Sequence, residues 1–390
     1  MSEELKRTEL YQWHVDHGGR MVPFAGWEMP VQYPTGPIQE HHATRQAAGL
    51  FDIDHMGQIE VRGPDAEAFV NRLVTYDVTR MNIGCRSIRS LDALSMRSLP
   101  AHYALFCYAD GGIVDDLFVY RLPDPDVEDR DYFFLVINAS NRSKDVAWVK
   151  AHIGHYEVQV RDISDQTYML AFQGPEAPQI LDRMTSAHLT QMKRFSAVQD
   201  TIVEDVPVLL GRTGYTGEDG FELFFPAESA LKVWEAILKE GQAEGVKPIG
   251  LAARDSLRFE PCMPLYGHEL SDAITPIEAR LSFAVSLDKD FIGRDALLKQ
   301  KLEKPDRLLV GFELVDRGVP REGYTVMYVG EPVGAVTSGM FSPTTGRYLG
   351  MAYVPREISS LDTEIQIQIR KKMVAAKIVK RPFYVPAYRR

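Results

Sequence analysis

Three stretches of the chain combine residue types that could do chemistry. In Gly111-Gly112-Ile113-Val114-Asp115-Asp116-Leu117, two adjacent acids begin an apolar strand that continues through Phe118-Val119-Tyr120. Side chains alternate across a strand, so one carboxylate must turn inward while its neighbour meets solvent. An inward Asp is costly unless it is paired or hydrogen-bonded, which makes Asp115 or Asp116 a candidate site acid, with a turn or cap acid as the competing reading.

The second stretch is GRTGYTGEDGFEL at 211–223. Its four glycines, with Tyr215 among them, specify a tightly turned loop from which a strand begins. Glu222 is the only charge in Phe221-Glu222-Leu223-Phe224-Phe225. It sits beside Phe224 on one strand face, a setting that punishes an unpaired charge. A carboxylate presents two acceptors in a plane and suits two adjacent N–H donors, such as the amidine-like edge of a pterin or guanine ring. No Gly-Lys-Ser/Thr follows and the next element is a strand, so the glycines are not a phosphate loop.

The third stretch runs from Gly250 to Glu260 and leads into Pro264-Leu265-Tyr266-Gly267-His268-Glu269. Arg254 and Arg258 are four apart on a largely apolar helix and can share a face, giving the local positive charge an acidic ligand needs. The alternative is an internal ion pair with Asp255 or Glu260. His41-His42 and His55 are scattered and form no metal-ligand pattern. There is no G-x-S-x-G elbow and no early G-x-G-x-x-G, so neither a Ser hydrolase nor a dinucleotide fold has support.

The elements that position these residues echo one another. Ile59-Glu60-Val61-Arg62 runs into Gly63-Pro64 and a helix bearing Phe69, Val70, Leu73 and Val74; Leu170-Ala171-Phe172-Gln173 runs into Gly174-Pro175 and a helix bearing Ile180, Leu181 and Met184. A second echo matches the glycine turn and strand at Ile113–Tyr120 with those at Phe221–Phe225, each followed by a helix, near 143–152 and 229–238. Two related α+β units, each an antiparallel sheet with helices on one face, follow from this. From about Arg307 the pattern changes to short alternating strands, with Glu364-Ile365-Gln366-Ile367-Gln368-Ile369-Arg370 the strictest, as in a small antiparallel barrel or sandwich. The expected division is 1–300 for the paired α+β units and 301–390 for the barrel.

With 390 residues, 45% of them hydrophobic and 25% charged, the chain can bury large cores, and two or three domains are expected. The formal charge of −10, with no compensating basic run, disfavours nucleic acid. No apolar stretch reaches membrane-spanning length, and the N-terminal residues do not read as a leader, so a cytoplasmic protein is expected. Cys85, Cys107 and Cys262 have no metal-ligand spacing and are expected to be buried apolar residues.

These segments, with Met21-Val22-Pro23-Phe24-Ala25-Gly26-Trp27-Glu28-Met29-Pro30, Gly49-Leu50-Phe51-Asp52 and His55-Met56-Gly57, resemble the T-protein family of the glycine cleavage system, the folate-dependent aminomethyltransferases, over essentially the whole chain. The resemblance implies a three-lobed ring of two ferredoxin-like α+β units plus a C-terminal antiparallel β-barrel, with a folate site in the centre. It implies transfer of a one-carbon unit from an S-aminomethyldihydrolipoyl carrier, the H-protein, to tetrahydrofolate. The products are 5,10-methylenetetrahydrofolate, ammonia and the dihydrolipoyl protein, with no metal and no nucleotide. The family's catalytic acid is the second of the Asp-Asp pair, here Asp116, which would stabilise cationic character at the transferred carbon. Glu222 takes the pterin edge and Arg254 lies in the folate site. Tyr103, Tyr120, Asn138, Tyr215 and Met56 match positions lining that site, and Arg389 matches a basic residue near the folate tail.

The chain departs from the family pattern at Asp54 (commonly Ser), Pro261-Cys262 (commonly Ala-Gly), Phe283 (customarily Trp) and a lengthened Met81–Pro100 segment. Phe283 bears on the wall of the site and the long segment on carrier docking. Two alternatives stand beside the aminomethyltransferase reading: a tetrahydrofolate-dependent demethylase of a small methyl donor, and a non-catalytic folate-binding protein. The latter's Cys-containing signature is missing at Gly214–Gly220.

Overall fold

A computed structural model describes residues 4–83, 98–202 and 205–389. The chain forms two compact units. The first holds residues up to Ala104, Asp116–Gly214 and Glu218–Arg254; the second holds Leu105–Asp115, Tyr215–Gly217 and Asp255 onward.

The first unit opens with helix α1 (Tyr11–Asp16), hairpin β1 (Arg20–Phe24) and β2 (Trp27–Gln32), helix α2 (Pro37–Gln46) and strand β3 (Gly49–Asp52). A first α+β half follows: β4 (Gly57–Arg62), α3 (Ala66–Leu73), β5 (Leu99–Cys107), β6 (Ile113–Pro123), β7 (Asp131–Ile137), α4 (Arg142–Ala151) and β8 (Gln159–Asp162). The second half is β9 (Thr167–Gln173), α5 (Ala177–Asp182), β10 (Ser196–Ile202), β11 (Val206–Gly211), β12 (Gly220–Pro226), α6 (Ala230–Glu240) and β13 (Lys247–Pro248).

One sheet carries both halves, in the order β13-β3-β9-β12-β11-β10-β5-β6-β7-β4-β8. The halves meet where β10 pairs with β5 at Ser196↔Pro100 and Ala197↔Leu99. About that seam, β4 corresponds to β9, β7 to β12, β6 to β11 and β8 to β3. The outer strands show why the halves interleave: β3 precedes the first half in sequence yet pairs with β9 of the second.

The Gly-Pro echo is a real correspondence. A Cβ on Gly63 would stand 2.3 Å from the Glu157 carbonyl oxygen, and one on Gly174 the same distance from that of Ala47. Both glycines have positive φ, 131° and 140°, and each lets the chain entering a helix pass against the segment before the matching strand, β8 or β3. The second echo is out of register. The topology matches β12 with β7, not with β6, so the glycine turns before β6 and β12 are separate solutions to separate hairpins.

Phe221, Leu223 and Phe225 of β12 join Leu170 and Phe172 of β9 in a core with Ile180 and Leu181 of α5 and Val233, Trp234 and Ile237 of α6. Burying that face beneath helices leaves the intervening residues, Glu222 and Phe224, on the opposite face. The α+β expectation holds, with helices on one face.

In the second unit, α7 (Leu251–Phe259), whose first turn belongs to the first unit, and α8 (Arg294–Glu303) precede a closed six-stranded barrel. Its strands are β14 (Arg307–Leu314), β15 (Thr325–Tyr328), β16 (Glu331–Phe341), β17 (Tyr348–Pro355), β18 (Glu364–Ile369) and β19 (Lys372–Val379), in the order β14-β17-β16-β15-β18-β19, and all pairs are antiparallel. Alternation along β18 buries Ile365 and Ile367 with Phe312, Val326 and Ile378. Cys107 is buried, Cys262 is only half-buried, contrary to the expectation of burial, and Cys85 lies outside the described residues.

Candidate functional site

On β6 the alternation resolves the acid pair. Asp115 is fully buried and Asp116 half-buried, turned to the face that also carries Phe118 and Tyr120. Asp116 accepts from both sides: Tyr103 Oη donates to Oδ2 at 3.0 Å, and Asn138 Nδ2 donates to Oδ1 at 2.8 Å and to the Asp116 carbonyl at 3.1 Å. Tyr103 stands on β5 and Asn138 follows β7, so the strands on either side of β6 each supply one clamp.

Rings continue along this face. Tyr103 meets Phe118 edge-on at 6.0 Å, Phe118 stacks on Phe195 at 6.0 Å, and Tyr120 packs against Phe134 and Phe224 at 5.9 and 5.7 Å. β6 and β12 are four positions apart in the sheet, about 19 Å if it were flat. The contact between Tyr120 and Phe224 therefore requires the sheet to curl, and the curl brings Glu222 to Tyr120.

Glu222 is held through one oxygen. Thr213 Oγ1 donates to Oε2 at 2.5 Å, and the Tyr120 hydroxyl lies 2.8 Å from Thr213 Oγ1 and 3.4 Å from Oε2. Among the described residues no donor reaches Oε1. Burial pushes the Glu222 carboxyl up, while the Thr213 hydroxyl, the Arg254 charge and the Tyr120 hydroxyl oppose that shift. Tyr120 itself is fully buried, and its phenol is raised by burial and by Glu222.

Arg254 lies in the first turn of α7, whose start is anchored by buried Glu40. The Glu40 carboxylate accepts from the backbone N–H of Gly250 at 2.8 Å and of Tyr33 at 2.6 Å. The Arg254 charge acts on Glu222 and also on His55, whose imidazole is pushed down to about 3, mainly by burial, and is therefore neutral. Met56, next to His55, is half-buried in the turn after β3, with its N–H on the Ile53 carbonyl at 3.0 Å.

The first unit thus gathers Asp116, Tyr103 and Asn138 in one cluster and Tyr120, Glu222 and Arg254 in a second. Phe118 links them, 6.0 Å from Tyr103 and 6.3 Å from Tyr120. Asp116 and Tyr120 are four residues apart on one strand, about 13 Å along it. An acid at one end, an acid with an open acceptor at the other and rings between them suit a flat ligand with N–H donors on one edge.

Comparison with known proteins identifies the family. Residues 10–289 match the family model described as the GCVT N-terminal domain, and residues 307–384 match the glycine cleavage T-protein C-terminal barrel domain. The chain is 47% identical to an aminomethyltransferase of Symbiobacterium thermophilum, covering all of both chains. It is also 47% identical to one of Desulforamulus reducens, over 98% of this chain and 99% of that one. The crystal structure of glycine cleavage system aminomethyltransferase T from Bartonella henselae superposes with a TM-score of 0.86 at 34% identity, covering 98% and 99% of the two chains. The chain belongs to the T-protein family of glycine cleavage aminomethyltransferases. It is a transferase.

Other candidate residues fall elsewhere. Tyr215 belongs to the second unit, where its hydroxyl donates to the Pro264 carbonyl at 2.5 Å. Arg389 ends the short turn Ala387–Arg389 of that unit, and its side chain lies outside the described residues. Arg258 does not present a free charge. It is 1% exposed and bonded to Asp255 (2.8 Å), Glu269 (2.9 Å), the Met263 carbonyl (3.2 Å) and Ser338 (2.9 Å), the internal-pair alternative with Glu269 as the buried partner. Glu260 instead accepts from Ser342 at 2.6 Å and Thr344 at 2.7 Å.

At the departures, Asp54 accepts from the Met169 N–H at 3.1 Å, and its carboxyl is pushed up to about 9 by burial and by neighbouring Asp52. Phe283 is 70% exposed, and residues 84–97 of the Met81–Pro100 segment lie outside the described residues. Among the described residues no group of three His, Cys, Asp or Glu could hold a metal, and no helix is long and apolar enough to cross a membrane.

Sequence reasoning missed Thr213, Glu40, Gln173 and Phe195. Thr213 had a signal: a lone carboxylate among Phe and Leu needs a donor, and the same motif contains one. Gln173 donates to the Thr213 and Phe221 carbonyls at 3.0 and 3.2 Å, closing the glycine loop. Phe195 is 46% exposed and left-handed (φ 58°), a backbone conformation that an aromatic residue rarely adopts and that no local pattern announces.

Proposed function

We propose that this T-protein takes the aminomethyl group from an S-aminomethyldihydrolipoyl H-protein, releases ammonia, and passes the carbon to tetrahydrofolate, leaving 5,10-methylenetetrahydrofolate and the dihydrolipoyl protein. Tetrahydrofolate supplies the two nitrogens that receive the carbon. Glu222 accepts from the N–H edge of the pterin, and Arg254 supplies positive charge beside it. Asp116, clamped by Tyr103 and Asn138, holds a fixed negative charge where positive charge develops at the carbon. Such preorganised electrostatics is worth about 2.7–4 kcal/mol. Tyr103, Tyr120 and Met56 complete the folate surroundings within the first unit in this reading. The division at residue 300 makes 1–300 the folate-binding region and 301–390 the barrel domain.

One observation carries the reading: in a chain matched end to end by aminomethyltransferases, Glu222 has one oxygen held by the protein and one with no donor among the described residues. The test is ammonia release and methylenetetrahydrofolate formation from an aminomethylated carrier, run beside small methyl donors. Turnover with the carrier supports it; turnover with a methyl donor alone contradicts it.

A further inference from the structure

Thr213 can be assigned by counting protons. Its hydroxyl has one proton and two close polar neighbours, Glu222 Oε2 at 2.5 Å and the Tyr120 hydroxyl at 2.8 Å. A carboxylate only accepts, so the Thr213 proton goes to Glu222. The Tyr120 proton is then left for Thr213 Oγ1, the shorter of its two contacts, since Glu222 Oε2 lies 3.4 Å away. The hydrogen bonds run one way, from Tyr120 through Thr213 to Glu222.

The backbone is shaped for this chain of donors. A Cβ on Gly211 would stand 2.6 Å from the Tyr120 hydroxyl, and one on Gly214 would stand 1.9 Å from the Gln173 side chain that holds the Thr213 carbonyl. The residues two before and one after Thr213 therefore leave room, one for the donor to Thr213 and one for the clamp on its backbone.

We propose that Thr213, oriented by Tyr120, is a positioning residue for ligand recognition: it ties down one oxygen of Glu222 and so turns the other toward the N–H edge of the incoming pterin. This rests on the reading that Glu222 binds that edge. Thr213 does not itself touch the ligand; it acts through the carboxylate. Among the described residues, the ionisable groups that act on Glu222 are Arg254 from α7 and Tyr120 from β6. Loss of the Thr213 donor leaves burial less opposed, so Glu222 takes up a proton more readily and loses acceptor capacity at low pH first.

The experiment is calorimetric titration of tetrahydrofolate into the full chain at pH 6.5 and 8.5. Thr213→Val keeps the shape and removes the donor, Thr213→Ser restores it, and Glu222→Ala is the control. The valine variant should bind about tenfold weaker at pH 8.5, with a deficit at pH 6.5 at least as large, and be rescued by serine. Tyr120→Phe should shift affinity in the same direction by a smaller factor, and it serves alone if the valine chain does not fold. Wild-type affinity in both Thr213→Val and Tyr120→Phe, a deficit that grows as the pH is raised, or no rescue by serine would overturn the assignment. Wild-type affinity in Glu222→Ala would instead overturn the pterin reading beneath it.

Discussion

Asp116→Asn isolates charge from geometry. The carboxylate accepts from Asn138 on one oxygen and from Tyr103 on the other. An asparagine keeps the volume, points its oxygen at Asn138 and offers its amide to Tyr103, whose phenol can rotate to accept. The clamp survives and only the negative charge goes. If that charge stabilises the developing cation by about 2.7–4 kcal/mol, turnover should fall about 100- to 1000-fold. Tetrahydrofolate affinity should change no more than several-fold, because Glu222 is untouched. Asp116→Ala should add a stability loss of about 1–3 kcal/mol, because Tyr103 and Asn138 lose their carboxylate acceptor. Single-turnover formation of methylenetetrahydrofolate, with ammonia as the coupled product, measures the effect. Turnover within threefold of wild type in the asparagine variant would remove Asp116 from the chemistry.

Two further outcomes concern stability. The folded chain holds a proton on Asp54 up to about pH 9, whereas the unfolded chain releases it near the ordinary Asp value of 3.8. Stability is therefore lost as pH rises between those values, by at most about 1.4 kcal/mol per unit. Asp54→Asn should show a smaller drop in urea midpoint from pH 6 to 8.5 than wild type, and parallel drops would show that the burial of Asp54 is not felt. Arg258→Ala should leave buried Glu269 without its ion-pair partner and cost about 3–5 kcal/mol, read as a lower denaturation midpoint; a loss under 1 kcal/mol would contradict a structural role for Arg258.

Much of the fold was legible because its signals are local. Strict alternation marked β18, and the Gly-Pro punctuation marked both strand–helix entries, since each requires a glycine that only a close backbone passage explains. The mistaken second echo has the opposite cause: glycine turns open many hairpins, and their spelling says nothing about which strand lies next to which. Arg258 was ambiguous for a similar reason, because its partners Glu269 and Ser338 come from distant segments. Asp116 and Glu222 stood out because charges in apolar strands are costly wherever they lie. Their clamps come from tertiary placement, Thr213 excepted, which shares a motif with Glu222: only the curl of the sheet brings Tyr120 of β6 to Thr213 and to Glu222 of β12.

Tetrahydrofolate binding to wild type, Asp116→Asn and Glu222→Ala, measured side by side, probes the division of labour between the two acids most directly. The account predicts near wild-type affinity for Asp116→Asn and a loss of tenfold or more for Glu222→Ala. Undiminished affinity without the Glu222 carboxylate, or binding abolished by the asparagine at 116, would contradict it.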